Sequence, residues 1–276
     1  MDKKKYITVE GISIAYLEEN DHADHNTIFF VHGNSVSSRT WRKQLTDPSF
    51  SNYRLVSIDL PAHGHSGIAA EPCRVYTLPQ LGRIMAKALL QLANGQLYIL
   101  AGVSLSTNIA AEMLGFGTHP AGLVLAGPSV IGAGIPVENI VKPGTHVNVV
   151  FTDEPEKEDV KRYARETSLS WDEDDLRVFL EDFQMVQKPF RSALAQSIGN
   201  KDYNDEVALL RQKNVPLLVV FGEDEQVIEN NYLDDVQLPL WGGKIVKIPG
   251  ASHLVHIDQP EAFNKLLKDF AEDCFR

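Results

Sequence analysis

Residues Gly102-Val103-Ser104-Leu105-Ser106 stand where a short apolar run, 97–103, gives way to a helical pattern that begins at Thr107. A serine on so sharp a strand-to-helix turn is held in a strained backbone conformation, with its hydroxyl exposed at the edge of a sheet. Small residues on either side, here Gly102 and Ser106, let the two backbones approach closely. The usual form of this nucleophile elbow has glycine at both places, so Ser106 is a departure, small in side-chain volume. A serine hydroxyl is a weak nucleophile until a base takes its proton and a third group orients that base. An acid and a histidine are therefore expected at the ends of later strands.

Both are present, in that order. After the apolar run Leu217-Leu218-Val219-Val220-Phe221 comes Gly222-Glu223-Asp224-Glu225, and after Ile245-Val246-Lys247-Ile248 comes Pro249-Gly250-Ala251-Ser252-His253. The acid in such a turn usually falls third after the strand-ending glycine, which selects Glu225, with Asp224 as the alternative. His253 lies at the strand exit where a base should emerge. His256 precedes the terminal helix and reads as a packing or surface residue. The oxyanion formed by serine attack needs two backbone amides. One is that of Leu105, after the nucleophile. The other is that of Asn34, in Val31-His32-Gly33-Asn34, whose side chain is also placed to touch substrate. His32 reads as a brace for its loop.

In the run 58–67, His63 and His65 form an H-x-H pair, but the next residues are Ser66-Gly67 and no further ligand cluster follows. No metal is expected there, and no cofactor elsewhere. His22 and His25 sit in a polar turn and read as solvated.

These residues need a scaffold that delivers each one at a strand end. Two strands, 6–9 and 12–17, form a hairpin through Glu10-Gly11. Further strands are expected at 27–31, 54–59, 97–103, 122–126, 216–222 and 244–248, alternating with helices near 78–92, 107–114 and 259–273. That alternation predicts an α/β fold with a mostly parallel central sheet flanked by helices. From Gly127 to about Arg211 the pattern changes. Pro128, Pro136, Pro143 and Pro155 break a loop region, and acidic helical segments follow at 157–167, 172–187 and 191–198. A helical insertion between two sheet strands reads as a cap over an active site. The expected division is a core of 1–127 and 212–276 with a helical cap of 128–211. Phe151, Tyr163, Phe179, Phe183 and Met185 are candidates for an apolar tunnel, although aromatics at helical spacing usually pack a core.

Composition narrows the partners. The chain has 276 residues, 43% hydrophobic and 23% charged, enough for a substantial core. A net charge of −11 with no basic stripe argues against nucleic acid and anionic membrane surfaces and favours a neutral or amphiphilic small molecule. Two cysteines, Cys73 and Cys274, make no disulfide framework. Without a secretory h-region or a membrane-length apolar run, a cytoplasmic monomer or homodimer is expected.

Taken together, H-G-N, D-L-P-A-H-G-H-S-G, the Ser104 elbow, G-E-D-E and P-G-A-S-H resemble the α/β-hydrolase fold superfamily over nearly the full length. A closer resemblance is to the metal-independent N-acyl homoserine lactonases of this fold. It is carried by His32-Gly33-Asn34-Ser35 with Gln44-Leu45, by Tyr163-Ala164-Arg165, by a glutamate acid, and by the stretch from Gly222 through Leu240-Trp241-Gly242 to His253. The resemblance implies a Ser104–Glu225–His253 triad, with Asn34 and Tyr163 contacting a lactone. The departures are Val103, where a member of that group has a bulky aromatic, and Ser106. The implied activity is hydrolysis of a carboxylic ester, foremost the lactone of an N-acyl homoserine lactone. A general carboxylesterase, a lipase-like enzyme or a carbon–carbon bond hydrolase shares the same residues, and a hydrolase-derived ligand receptor is a more distant reading. Epoxide hydrolases and haloalkane dehalogenases place aspartate at the elbow and do not fit.

Overall fold

The computed structural model describes residues 4–21, 26–132, 134–135 and 137–276, so His22, His25 and Pro136 lie outside the described residues. Its centre is one eight-stranded sheet. The strands are β1 (Lys5–Val9), β2 (Ile12–Glu19), β3 (Thr27–Val31), β4 (Arg54–Ile58), β5 (Tyr98–Val103), β6 (Gly122–Ala126), β7 (Leu217–Gly222) and β8 (Val246–Ile248), in the spatial order β1-β2-β4-β3-β5-β6-β7-β8. β1 pairs antiparallel with β2 and β2 antiparallel with β4, while the strands from β4 to β8 run parallel.

The central strands β3, β5, β6 and β7 are buried throughout, as expected for a parallel sheet covered on both faces. Their side chains alternate between two cores. On β3, Phe29 and Val31 face one core and Ile28 and Phe30 the other; on β5, Leu100 joins the first, and Ile99, Ala101 and Val103 the second. The helices are α1 (Arg42–Leu45), α2 (Pro72–Val75), α3 (Leu78–Ala93), α4 (Leu105–Met113), α5 (Lys157–Thr167), α6 (Glu173–Met185), α7 (Phe190–Gly199), α8 (Glu206–Lys213), α9 (Val255–Asp258) and α10 (Pro260–Cys274). α3 and α4 cover the first face, and α10 covers the second through Phe263, Leu267 and Phe270. α3 starts where the Thr77 hydroxyl accepts the Gln80 N–H, and stops at Asn94 in the left-handed region.

All eight expected strands are present, with ends moved by one or two residues. The cap-region helix at 157–167 matches α5, and α6 and α7 lie within a residue or two of their expected positions. The short helices α1, α2 and α9, and all of α8, were not anticipated. α8 packs on α4, beside the sheet.

Candidate active site

Ser104 sits on the turn between sheet and helix. It follows β5 and precedes α4, with φ 54° and ψ −125°, the strained conformation expected of the elbow. Its N–H donates to the Ala126 carbonyl of β6 at 3.0 Å, and its carbonyl accepts from the Thr107 N–H at 2.8 Å. The departure at Ser106 has a physical role. The Val103 N–H donates to Ser106 Oγ at 2.7 Å, and Ser106 Oγ donates to the Val31 carbonyl at 2.7 Å. The hydroxyl thus bridges β3 and β5 just beyond their last paired rung, Val31 with Gly102. Gly102 must remain bare, because a Cβ there would lie 2.9 Å from the Ser106 carbonyl oxygen.

Glu225 and His253 meet across the turns after β7 and β8. His253 Nδ1 is 3.0 Å from Glu225 Oε2, and both side chains are buried. Glu225 Oε1 accepts the Val227 N–H at 2.8 Å and the Ile228 N–H at 3.2 Å, which fixes the carboxylate. Asp224 is exposed, and its carboxylate accepts the Gly250 N–H at 3.1 Å. His253 Nε2 is buried without a hydrogen-bond partner among the described residues. Its ring sits against Gly127, the residue after Ala126, so close that a Cβ on Gly127 would be 2.9 Å from Nδ1. The His253 loop is braced from beside: Ser252 Oγ donates to the Glu166 carbonyl at 2.6 Å and the Leu254 N–H to the Thr167 carbonyl at 2.8 Å, both at the end of α5.

His32 and His63 hold loops. His32 is wholly buried; its Nδ1–H donates to the Gly33 carbonyl at 2.7 Å and its Nε2 accepts the Leu60 N–H at 2.9 Å. His63 likewise donates to the Pro61 carbonyl and accepts the Ser35 N–H, and burial, with the neighbouring His32, pushes its pKa down to about 3. His65 is exposed, so the H-x-H pair does not converge. Among the described residues no group of three or more His, Cys, Asp or Glu is placed to share a metal ion. His256 packs on Trp41 at 4.2 Å between ring centroids and lies 3.0 Å from Thr40 Oγ1.

Ser104, Leu105 and Asn34 line one cavity of about 370 Å³. Among the described residues its wall carries no charged side chain. Leu78, Ile131, Ile140, Val147, Val227 and Ile228 supply aliphatic surface, and Tyr163 and Phe151 contribute aromatic surface. The polar residues are Asn34, Ser104, Asn108, Ser129, Asn148 and Tyr163. Of the five tunnel candidates, Phe151 and Tyr163 line this cavity and Phe179, Phe183 and Met185 do not; Phe179 packs against Tyr163, Trp171 and Phe183. Burial, with Glu225 and Glu166 nearby, raises the Tyr163 phenol, which stays protonated at neutral pH. The Asn34 side chain is engaged: its Nδ2 donates to the Val150 carbonyl at 2.8 Å and its Oδ1 accepts from Ser35 Oγ at 3.0 Å. It clasps the loop before α5 to the loop after β3. The sequence reading missed how much of the wall comes from 129–151. The signal was there, in Ile140 and the five valines of 137–150, unusually apolar for a loop.

A comparison with known proteins agrees with this architecture. Solved structures of the N-acyl homoserine lactonase AidH, one of them a mutant complexed with N-hexanoyl homoserine lactone, superpose with a TM-score of 0.88 at 24% identity, covering 99% of this chain and 98% of that one. An aryl esterase, provisionally so named, from Burkholderia cenocepacia superposes with a TM-score of 0.83 at 20% identity, covering 99% of each chain. A protein of Bacillus subtilis (strain 168) with the provisional name 2-succinyl-6-hydroxy-2,4-cyclohexadiene-1-carboxylate synthase is 24% identical over 96% of this chain and 97% of its own length. The profile described as "Alpha/beta hydrolase family" matches residues 28–266, and the chain belongs to that family.

Proposed function

We propose that the protein is a serine hydrolase that cleaves a carboxylic ester through an acyl-enzyme, with the lactone ring of an N-acyl homoserine lactone as its foremost substrate. The observation that carries this reading is a strained serine lining an apolar cavity, at the strand ends of the same sheet as a histidine held by a buried glutamate. Glu225 keeps the proton of His253 on Nδ1 and leaves Nε2 as the base. His253 takes the proton of Ser104 as the serine attacks the carbonyl carbon. The backbone amides of Asn34 and Leu105 hold the oxyanion.

Collapse of the tetrahedral intermediate breaks the carbonyl–oxygen bond, and the histidinium protonates the leaving oxygen. In a lactone that oxygen stays tethered to the acyl group, so water, activated by the same histidine, must attack before the ring recloses. The protonated Tyr163 phenol is a donor for a carbonyl or ring oxygen. The segment 128–211 serves as the cap, and its aliphatic wall receives an acyl chain. AidH, one of whose solved structures is a mutant complexed with N-hexanoyl homoserine lactone, supports the lactone reading. The aryl esterase neighbour supports a general carboxylesterase as the second.

The test follows ring opening by proton release, with EDTA present, for a butanoyl and a dodecanoyl homoserine lactone. Opening that resists chelator and falls by about 10⁴-fold or more in Ser104→Ala supports a serine lactonase. If neither lactone opens while an aryl ester is cleaved, the lactone reading fails and the general esterase takes its place.

A further inference from the structure

A second recess, of about 410 Å³, opens between α5, α6 and the start of α7, and among the described residues it shares no lining residue with the cavity beside Ser104. Val160, Leu180, Phe183 and Val186 give it an apolar wall, and Lys157, Lys161 and Lys188 stand around it with the carboxylates of Asp153 and Glu154. Arg191 also lines it, only 4% exposed. Its Nε donates to Ser35 Oγ at 2.9 Å, its Nη2 donates to the Phe183 carbonyl at 2.5 Å, and its guanidinium carbon lies 4.0 Å from the centre of the Phe183 ring. Nη1 has no partner among the described residues.

An arginine so deeply buried normally faces a carboxylate, because desolvating the charge costs several kcal/mol. Here none lies within ion-pair distance among the described residues. Burial pushes the group down to about 10, and Asp153 opposes this only at longer range. The Asp153 carboxylate is itself taken up by the N–H and hydroxyl of Ser192. Lys188 pairs with Glu154 and Lys161 with Glu158, whereas Lys157 has no ion pair among the described residues. The recess therefore offers two cations without a close counter-ion beside an apolar wall. A guanidinium nitrogen and an ammonium together suit a carboxylate, and the wall suits a hydrocarbon chain.

We propose that this recess binds an amphiphilic carboxylate of the fatty-acid class, its head group on Arg191 Nη1 and Lys157 and its chain against Leu180, Phe183 and Val186. Such a ligand completes the charge balance of Arg191, which reaches the Ser104 cavity through Ser35 and Asn34.

Isothermal titration with decanoate tests this, with decanol and inorganic phosphate as the chain and the anion alone. Leu180→Trp fills the recess, and Gly199→Trp fills the Ser104 cavity. The expected result is decanoate binding that survives in Gly199→Trp and weakens at least about tenfold in Leu180→Trp and in Lys157→Glu, with decanol and phosphate each at least about tenfold weaker. No decanoate binding overturns the proposal. So does binding lost in Gly199→Trp but kept in Leu180→Trp, and so does decanol binding as tightly as decanoate.

Discussion

Ser106→Ala removes one oxygen atom from beneath the nucleophile, and its effect can be worked from two hydrogen bonds. In the wild type, Ser106 Oγ accepts the Val103 N–H and donates to the Val31 carbonyl, each at 2.7 Å, in a fully buried place. Alanine leaves a buried donor unpaired, which costs about 1–3 kcal/mol, and a carbonyl with one partner fewer, a smaller loss. The better helix propensity of alanine returns only about half a kcal/mol. The net expectation is about 2–3 kcal/mol of destabilisation, a large share of a typical stability of roughly 5–15 kcal/mol. Equilibrium urea unfolding reads this as a lower midpoint at an unchanged slope. Because Val103 immediately precedes Ser104, turnover of an aryl ester should fall as well. A stability within about 0.5 kcal/mol of wild type would refute the view that this hydroxyl holds the strand ends together.

Other consequences follow from the same geometry. Gly127 has φ +47°, and a Cβ there would sit 2.8 Å from the His253 carbonyl and 2.9 Å from its Nδ1. Gly127→Ala should lower kcat/KM for an aryl ester by about 100-fold through displacement of the imidazole, and a fall under about threefold contradicts that placement. Gly199 lines the Ser104 cavity, and a Cβ there would meet no atom within 4 Å. Gly199→Leu should therefore cut activity on dodecanoyl substrates far more than on butanoyl ones; an unchanged chain-length ratio would place the acyl chain elsewhere. His63 and His256 are buried with pKa values lowered to about 3. Between pH 3 and the unfolded value near 6.5 the unfolded chain binds more protons at these sites, so stability is present above that window and lost as pH falls through it. Each contributes about 2 kcal/mol of loss between pH 7 and 5. Glu206 is raised by burial and opposes them, its contribution being lost as pH rises above about 4.5. Glu206→Gln should thus show a steeper acid loss than wild type in urea midpoints at pH 7 and 5, and equal slopes would contradict it.

The sheet was legible because β3, β5, β6 and β7 are buried on both faces and so read as unbroken apolar runs. α8 was not, because its buried face holds only Val207 and Leu210 with the carboxyl of Glu206, too little for an apolar stripe. Within the site, residue types at the strand ends gave Ser104 and His253 as candidates. Glu225 and Asp224 share one turn, and only the three-dimensional path shows one carboxylate turned in toward His253 and the other out toward Gly250. The hold of Asn34 on Val150 links residues 116 apart in the chain, a pairing no local pattern carries.

The central claim is that His253 and Glu225 make Ser104 nucleophilic. Its most direct test is labelling of the wild-type protein by a fluorophosphonate, read by intact mass and peptide mapping. The account predicts one adduct, on Ser104, absent in Ser104→Ala and formed at least about 10³-fold more slowly in His253→Ala. An unlabelled wild-type protein, an adduct on another residue, or labelling that ignores the loss of His253 would contradict it.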